Sequence, residues 1–141
     1  MGATSGMELL QLPVQLHDIR LGRPVDLLLD AKAWRVLGFV VLCGDESLRF
    51  LAYAAAELPQ GEIAVPSALL LLEDVEFYRE RSRSLRALLG AGVASEGRHV
   101  GPLHDVCVAR DGNVAALLVI RDGAVVEVEP AGARIELAPA A

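Results

Sequence analysis

A chain of 141 residues makes one ordinary domain or two very small ones. Hydrophobic residues reach 53%, which excludes the low-hydropathy composition of a disordered chain. The formal net charge of −6 argues against the basic face of a duplex nucleic-acid binder.

The charge is uneven. Residues 18–80 hold six basic and eleven acidic side chains, whereas residues 81–141 hold seven of each. Lys32 is the single lysine among thirteen basic residues, and with so much Ala, Leu and Val this composition suggests a GC-rich bacterial genome. Cys43 and Cys107 form no C-x-x-C pair and sit in apolar runs, so both are expected as reduced, buried, small hydrophobes of a cytoplasmic protein.

Read in chain order, residues 1–6 are small and polar, with neither the basic start nor the apolar core of a secretory signal. They are expected to be flexible. The turn at 30–32 precedes Trp34, the only tryptophan, which either anchors a partner from an exposed turn or packs over the end of a barrel. Residues 36–43, like 114–120 further on, are apolar on both faces and read as strands that need cover on their outer side. Gly44-Asp45-Glu46-Ser47 is a turn, and 48–56 is a second apolar run. The apolar stretch 64–72 is broken by Pro66 and Ser67 and falls short of the ~18–20 residues of a membrane helix.

Residues 75–78 fit a strand, with Phe77 and Tyr78 in the core. The best helix signal is 84–89, where Ser84 caps and Gly90 terminates. Asp111-Gly112-Asn113 is a strong hairpin turn between the runs 98–108 and 114–120. Val126 and Val128 alternate with glutamates, as Ile135 and Leu137 alternate with Arg134 and Glu136, the period of half-buried strands. Residues 138–141 look frayed.

Two strings repeat. Arg35-Val36-Leu37-Gly38 and Arg98-His99-Val100-Gly101 share R-x-x-G before an apolar run, with their glycines 63 positions apart. Each run leads to a turn and a second strand, and Pro66 and Pro130 follow 64 positions apart. Gly38 and Gly101 lie inside strand patterns, where glycine marks a bulge or sharp bend, as a small curled sheet requires.

Gly97-Arg98-His99-Val100-Gly101-Pro102-Leu103-His104-Asp105-Val106-Cys107-Val108, continuing through Asp111-Gly112-Asn113-Val114 to Leu117-Leu118-Val119, resembles the PRC-barrel family. A weaker copy runs from Leu21-Gly22-Arg23-Pro24-Val25 through residues 35–42 to Ile63-Ala64-Val65-Pro66-Ser67-Ala68, which is similar to the family's V-P-x-S-A segment. That copy departs from the pattern by lacking an aspartate after Gly38. The resemblance covers about residues 18–137. Members include the C-terminal domain of the ribosome maturation factor and the cytoplasmic domain of the reaction-centre H subunit. It implies a small β-barrel that docks onto other proteins without chemistry of its own, and a structural hydrogen-bonding role for Asp105.

His17-Asp18 and His104-Asp105 contain metal-ligating types, but only His99 remains to complete a site, and positions 99 and 104 of one strand face opposite ways. They read as turn and strand residues. No nucleophile elbow or phosphate-binding glycine loop is present in the sequence. Arg79, Arg81, Arg83 and Arg86 form the one dense basic run. It reads first as an exposed linker and helix start paired with nearby carboxylates, and second as a clamp for phosphate or an acidic partner.

The expected architecture is all-β: two small PRC-barrel-like barrels in tandem, pseudo-twofold related, with only short helical turns. Residues 1–14 form an N-terminal segment, 15–80 the first repeat, 81–83 a linker and 84–138 the second repeat. The expected function is a non-catalytic cytoplasmic adaptor, not an enzyme, with no cofactor and no metal. It binds another protein or itself, as a homodimer, through barrel surfaces, with Trp34, Arg79, Arg81, Arg83 and Arg86 as candidate contact residues. The alternatives are a ribosome- or RNA-associated maturation factor using the 79–86 arginines, and a small-molecule-binding barrel.

Overall fold

The chain begins with a two-residue strand, β1 (Thr4–Ser5), and a single helical turn, α1 (Gly6–Leu9). Five strands follow: β2 (Val14–Leu16), β3 (Ile19–Asp30), β4 (Arg35–Cys43), β5 (Leu48–Ala52) and β6 (Ile63–Ala64). A strand, β7 (Leu71–Leu72), leads into α2 (Val75–Arg79), and β8 (Arg83–Ser84) leads into α3 (Leu85–Leu88). The remainder is β9 (Gly92–Ser95), β10 (Arg98–Val108), β11 (Val114–Arg121), β12 (Ala124–Val128) and β13 (Ala133–Ile135). This computed structural model describes residues 3–136, so the expectation of fraying at 138–141 lies outside the described residues.

The strands build two sheets. The first has the order β6-β2-β3-β4-β5-β7, with β8 also on β3; the second has the order β12-β11-β10-β9-β13, with β1 also on β10. All pairings are antiparallel except β2 with β6. Neither sheet closes on itself by strand pairing among the described residues; at the β6 edge of the first, Glu57 forms an isolated bridge to Ala64.

Internal repetition is present, but in a different register from the one expected. Gly22 and Gly101, Asp26 and Asp105, and Ser5 and Ser84 are each 79 positions apart. Strand β3 thus corresponds to β10, and β4 to β11. Both long strands carry a pairing irregularity immediately before the aspartate, between Pro24 and Asp26 and between Leu103 and Asp105. The expected match of Gly38 with Gly101 fails because Gly38 lies on the second strand of its hairpin and Gly101 on the first. A glycine in an apolar run is compatible with either strand of a hairpin; only the pairing partner tells them apart.

The two glycines that do correspond share one physical cause. A Cβ on Gly22 would drive into the Leu42 carbonyl oxygen, and a Cβ on Gly101 into the Ile120 carbonyl oxygen. Each is the point where a long strand bends tightly against its neighbour. Gly101→Ala is expected to cost about 1–3 kcal/mol, because backbone rather than a movable side chain must give way. Urea unfolding checks this, and an unchanged midpoint would show that the bend tolerates a side chain.

The short leading segments cross between the halves. Ser5 pairs with Cys107 and Thr4 with Val108, while Ser84 pairs with Leu28 and Arg83 with Leu29. Residues 4–5, expected to be flexible, therefore extend the second sheet, and residues 83–84, expected at the junction of linker and second repeat, extend the first. In both leaders a serine caps the helical turn: Ser5 Oγ accepts from Glu8 N at 3.1 Å and Ser84 Oγ from Ala87 N at 3.2 Å. The cap at Ser84 and the stop at Gly90, with φ +89°, follow the sequence signals.

The hairpin ends also meet reciprocally. Val36 N donates to Gly112 O and Val114 N to Trp34 O, each at 2.8 Å. Two equal bonds exchanged between corresponding positions are what a local twofold relation produces. One continuous hydrophobic core joins the sheets, drawing Leu27, Phe39 and Leu51 from the first and Leu103, Val106 and Leu117 from the second.

Residues 75–78 are helical rather than extended. Asp74 Oδ1 accepts from Phe77 N at 3.2 Å and caps the turn, which sets Val75 and Tyr78 on one face at helical spacing. Phe77 consequently points outward at 44% exposure instead of joining the core.

Candidate functional site

Trp34 is 4% exposed, and its indole Nε1–H donates to Ala133 O at 3.2 Å. The residue sits at the turn between β3 and β4 with φ +53°. Its side chain packs in the joint core and ties the first hairpin to β13. Of the two readings of this residue, packing is the one the structure takes, and Trp34 drops out of the candidate contact surface.

The arginine run is dispersed. Arg79 Nη1 donates to Glu76 Oε1 at 2.8 Å. Arg81 lies 3.7 Å over the Phe77 ring and donates to Phe77 O at 2.8 Å. Arg86 Nε donates to Val25 O at 2.5 Å, and Arg83, exposed, lies on β8. Three of the four guanidinium groups are thus engaged within the chain, on α2, on its flank and against β3.

Asp26 and Asp105 do converge on their surroundings, in corresponding ways. Asp105, 6% exposed, accepts from Val106 N at 2.8 Å and from Met7 N at 3.2 Å. Asp26 accepts from Leu27 N at 2.8 Å, from Arg86 N at 3.2 Å and from the Ser84 hydroxyl. Each carboxylate pins the crossing leader of the other half to a long strand. Asp105 was singled out by the family resemblance; Asp26 was missed, although the spacing of 79 from Asp105 was available as a signal.

The histidines stand apart. His17 is exposed at a turn with φ +57°, His104 is exposed on β10, and His99 Nδ1 lies 2.6 Å from Glu136 Oε1. No group of three or more metal-ligating side chains gathers among the described residues. Cys43 and Cys107 are free and half-buried rather than fully buried. Desolvation is the leading cause that pushes both thiols up.

Three aspartates are held below the ordinary carboxylate range by turn hydrogen bonds. Asp30 accepts from Ala33 N and Lys32 N, Asp45 from the Ser47 hydroxyl and N, and Asp111 from Asn113 N. A carboxylate whose folded pKa is depressed stabilises the fold above its unfolded value and loses that contribution as pH falls through the folded one. Stability is therefore expected to decline on acidification below about pH 4. The Asp30→Asn, Asp45→Asn and Asp111→Asn triple variant should show a shallower acid limb in a pH series of urea midpoints. An identical slope would remove these turns from the account.

The two outer sheet faces are unlike. On the first, Leu28, Val40 and Phe50 are at most 2% exposed, beneath Val75 and Tyr78 of α2. The Phe50 and Tyr78 rings stack at 3.9 Å between centroids with 7° between planes. The corresponding positions on the second sheet, found through the pairing of β10 with β11 and of β11 with β12, are Cys107, Leu118 and Glu127. No helix covers them among the described residues. Cys107, Leu118 and Ile120 are half-buried, and Val125 is 51% exposed. The expectation that both doubly apolar strands need outer cover is thus met for β4 and not for β11.

No helix among the described residues is long and apolar enough to cross a membrane. Comparison with protein-family models gives no match, and comparison with curated protein sequences gives none.

Proposed function

We propose that the protein is a non-catalytic cytoplasmic docking module of the PRC-barrel type, whose second half receives another protein. The observation that carries this reading is the outer face around Leu118, Ile120 and Val125, over which, among the described residues, nothing corresponds to the α2 that seals the first sheet. Partly exposed apolar side chains beside a charge, here Leu118, Ile120 and Val125 with Glu127, are characteristic of an interaction surface. Side chains fill the space between the sheets, where Phe39, Leu51 and Leu117 are all 0% exposed, which supports surface binding over a small-molecule chamber. The engagement of Arg79, Arg81 and Arg86 within the chain weighs against the RNA-clamp reading.

The reading is tested by placing a photo-reactive residue at Val125, with a control at exposed Gln60, in the full chain inside its native cell. One defined protein crosslinked through position 125 and not through 60 is the expected result. Equal, diffuse labelling from both positions would overturn the docking role.

A further inference from the structure

The halves differ by one element. After β5 the chain turns through residues 53–70 and places β7 on the free side of β5, pairing Phe50 with Leu72 and Leu51 with Leu71. It then lays α2 over the outer face. After β12, the strand that corresponds to β5, the chain passes directly to β13, which pairs on the far side of the sheet with β9. The free edge of β12 and the face beside it therefore both lack, among the described residues, the strand and helix that their counterparts carry.

The edge is suited to accept a strand. β12 is extended over Ala124–Val128, contains no proline, and among the described residues is paired on one side only. Unpaired backbone N–H and C=O groups along such an edge bind an extended segment by completing the ladder.

Charge specifies what the segment carries. Where the first half has Phe50 to stack on Tyr78, the second has exposed Glu127. Glu127, Asp105 and Glu8 each act on the Cys107 thiol in the same direction, raising its pKa beyond the larger effect of burial. Glu127 is the exposed carboxylate at the position corresponding to Phe50, while Arg98 and Arg121 line a cavity that Glu127 also borders. A segment that fits must keep an aliphatic residue for Leu118 and Cys107 and present a cation to Glu127.

We propose that the edge of β12 and the adjoining outer face bind a strand–helix segment of another protein, resembling β7–α2 but with a lysine or arginine at the position of Tyr78. The proposal rests on the docking reading above and names the chemistry of the partner.

The probes are two synthetic peptides spanning residues 68–81 of this chain, one with Tyr78→Lys and one with Tyr78→Glu, titrated into the isotope-labelled full chain. The lysine peptide is expected to shift the backbone amide signals of residues 118 and 124–128, leaving those of Leu28 and Phe50 in place because α2 covers them. The glutamate peptide should bind at least about tenfold weaker. Glu127→Lys in the protein, a change at an exposed position, should reverse that order, and Glu127→Gln should remove it. Equal affinities, absence of shifts along β12 with either peptide, or a solution dimer joined through β12 would each overturn the proposal. A partner crosslinked at Val125 alongside peptides that do not bind would leave the docking role standing and discard the strand–helix partner.

Discussion

Replacing Trp34 with alanine is expected to lower stability by about 3–5 kcal/mol, the range for removing a buried large aromatic side chain. The expectation is high in that range for three reasons. The ring is 4% exposed in the core that joins both sheets. Its Nε1–H is spent on Ala133 O across the two halves. Its backbone already holds a left-handed φ of +53°, a conformation that non-glycine residues tolerate only where surrounding contacts enforce it. The corresponding position in the other half is Gly112, with φ +90°, which meets the same backbone demand without a side chain. Trp34→Phe keeps most of the apolar contact and gives up the hydrogen bond, so it should cost distinctly less. Because one core serves both sheets, urea unfolding followed by Trp34 fluorescence and by far-ultraviolet circular dichroism should give coincident single transitions in the wild-type chain. Two separated transitions would show that the halves unfold independently and that Trp34 does not couple them.

Asp26→Ala and Asp105→Ala are each expected to cost about 2–4 kcal/mol. Each removes a charged acceptor of two backbone N–H groups, and one of the stranded donors in each case belongs to a buried strand residue, Leu27 or Val106. The two losses should also be visible in different places. Asp26→Ala frees the leader at residues 83–86, so trypsin should cut after Arg83 or Arg86 faster than in the parent. Asp105→Ala frees the leader at residues 4–9 and should instead speed amide exchange at Met7 and Glu8. Asp→Asn at either position retains an acceptor and should fall between. If either alanine variant loosened both leaders equally, the carboxylates would be acting through global stability and not as local pins.

Much of the strand content was legible because it rests on short-range pattern. The doubly apolar run at 36–43, the Asp-Gly-Asn turn before 114 and the alternation at 126–129 all appear as strands or turns in place. So does the serine-capped turn at 84, since capping is a contact between neighbours in sequence. Residues 75–78 read as extended in the sequence yet fold as a helix, because four residues carry too few repeats to separate a period of 2 from one of 3.6. The Asp74 cap decides between them. The register of the internal repeat was misread because R-x-x-G with apolar neighbours occurs on both strands of a hairpin. The aspartate spacing of 79 carries the true correspondence, through two carboxylates that do the same work.

The candidate surface was legible only in part. Strand β11 reads as apolar on both faces, and that its outer side needs cover follows from hydropathy alone. Which of the two such strands lacks cover does not. The answer depends on where residues 71–79 travel, and that path is set by contacts between positions some twenty to fifty apart, such as Phe50 with Leu72 and Leu28 with Val75. Trp34 illustrates the same limit from the other side. A lone tryptophan beside a turn has the composition of an interface anchor, and only the approach of β13 turns it inward.

By itself, then, the amino-acid order determined a strand-rich chain with an apolar interior, its turns, the capped helix start at Ser84 and its bent long strands, because each of these arises from residues within a few positions of one another. Tertiary structure alone decided that the leaders at 4–9 and 83–88 cross to the opposite half, that Trp34 is buried, that Arg79, Arg81 and Arg86 are engaged within the chain, and that the outer face of β11 carries no counterpart of α2 among the described residues. Those outcomes depend on which distant surfaces bury each other, and burial is a property of the assembled core that no local window of sequence contains.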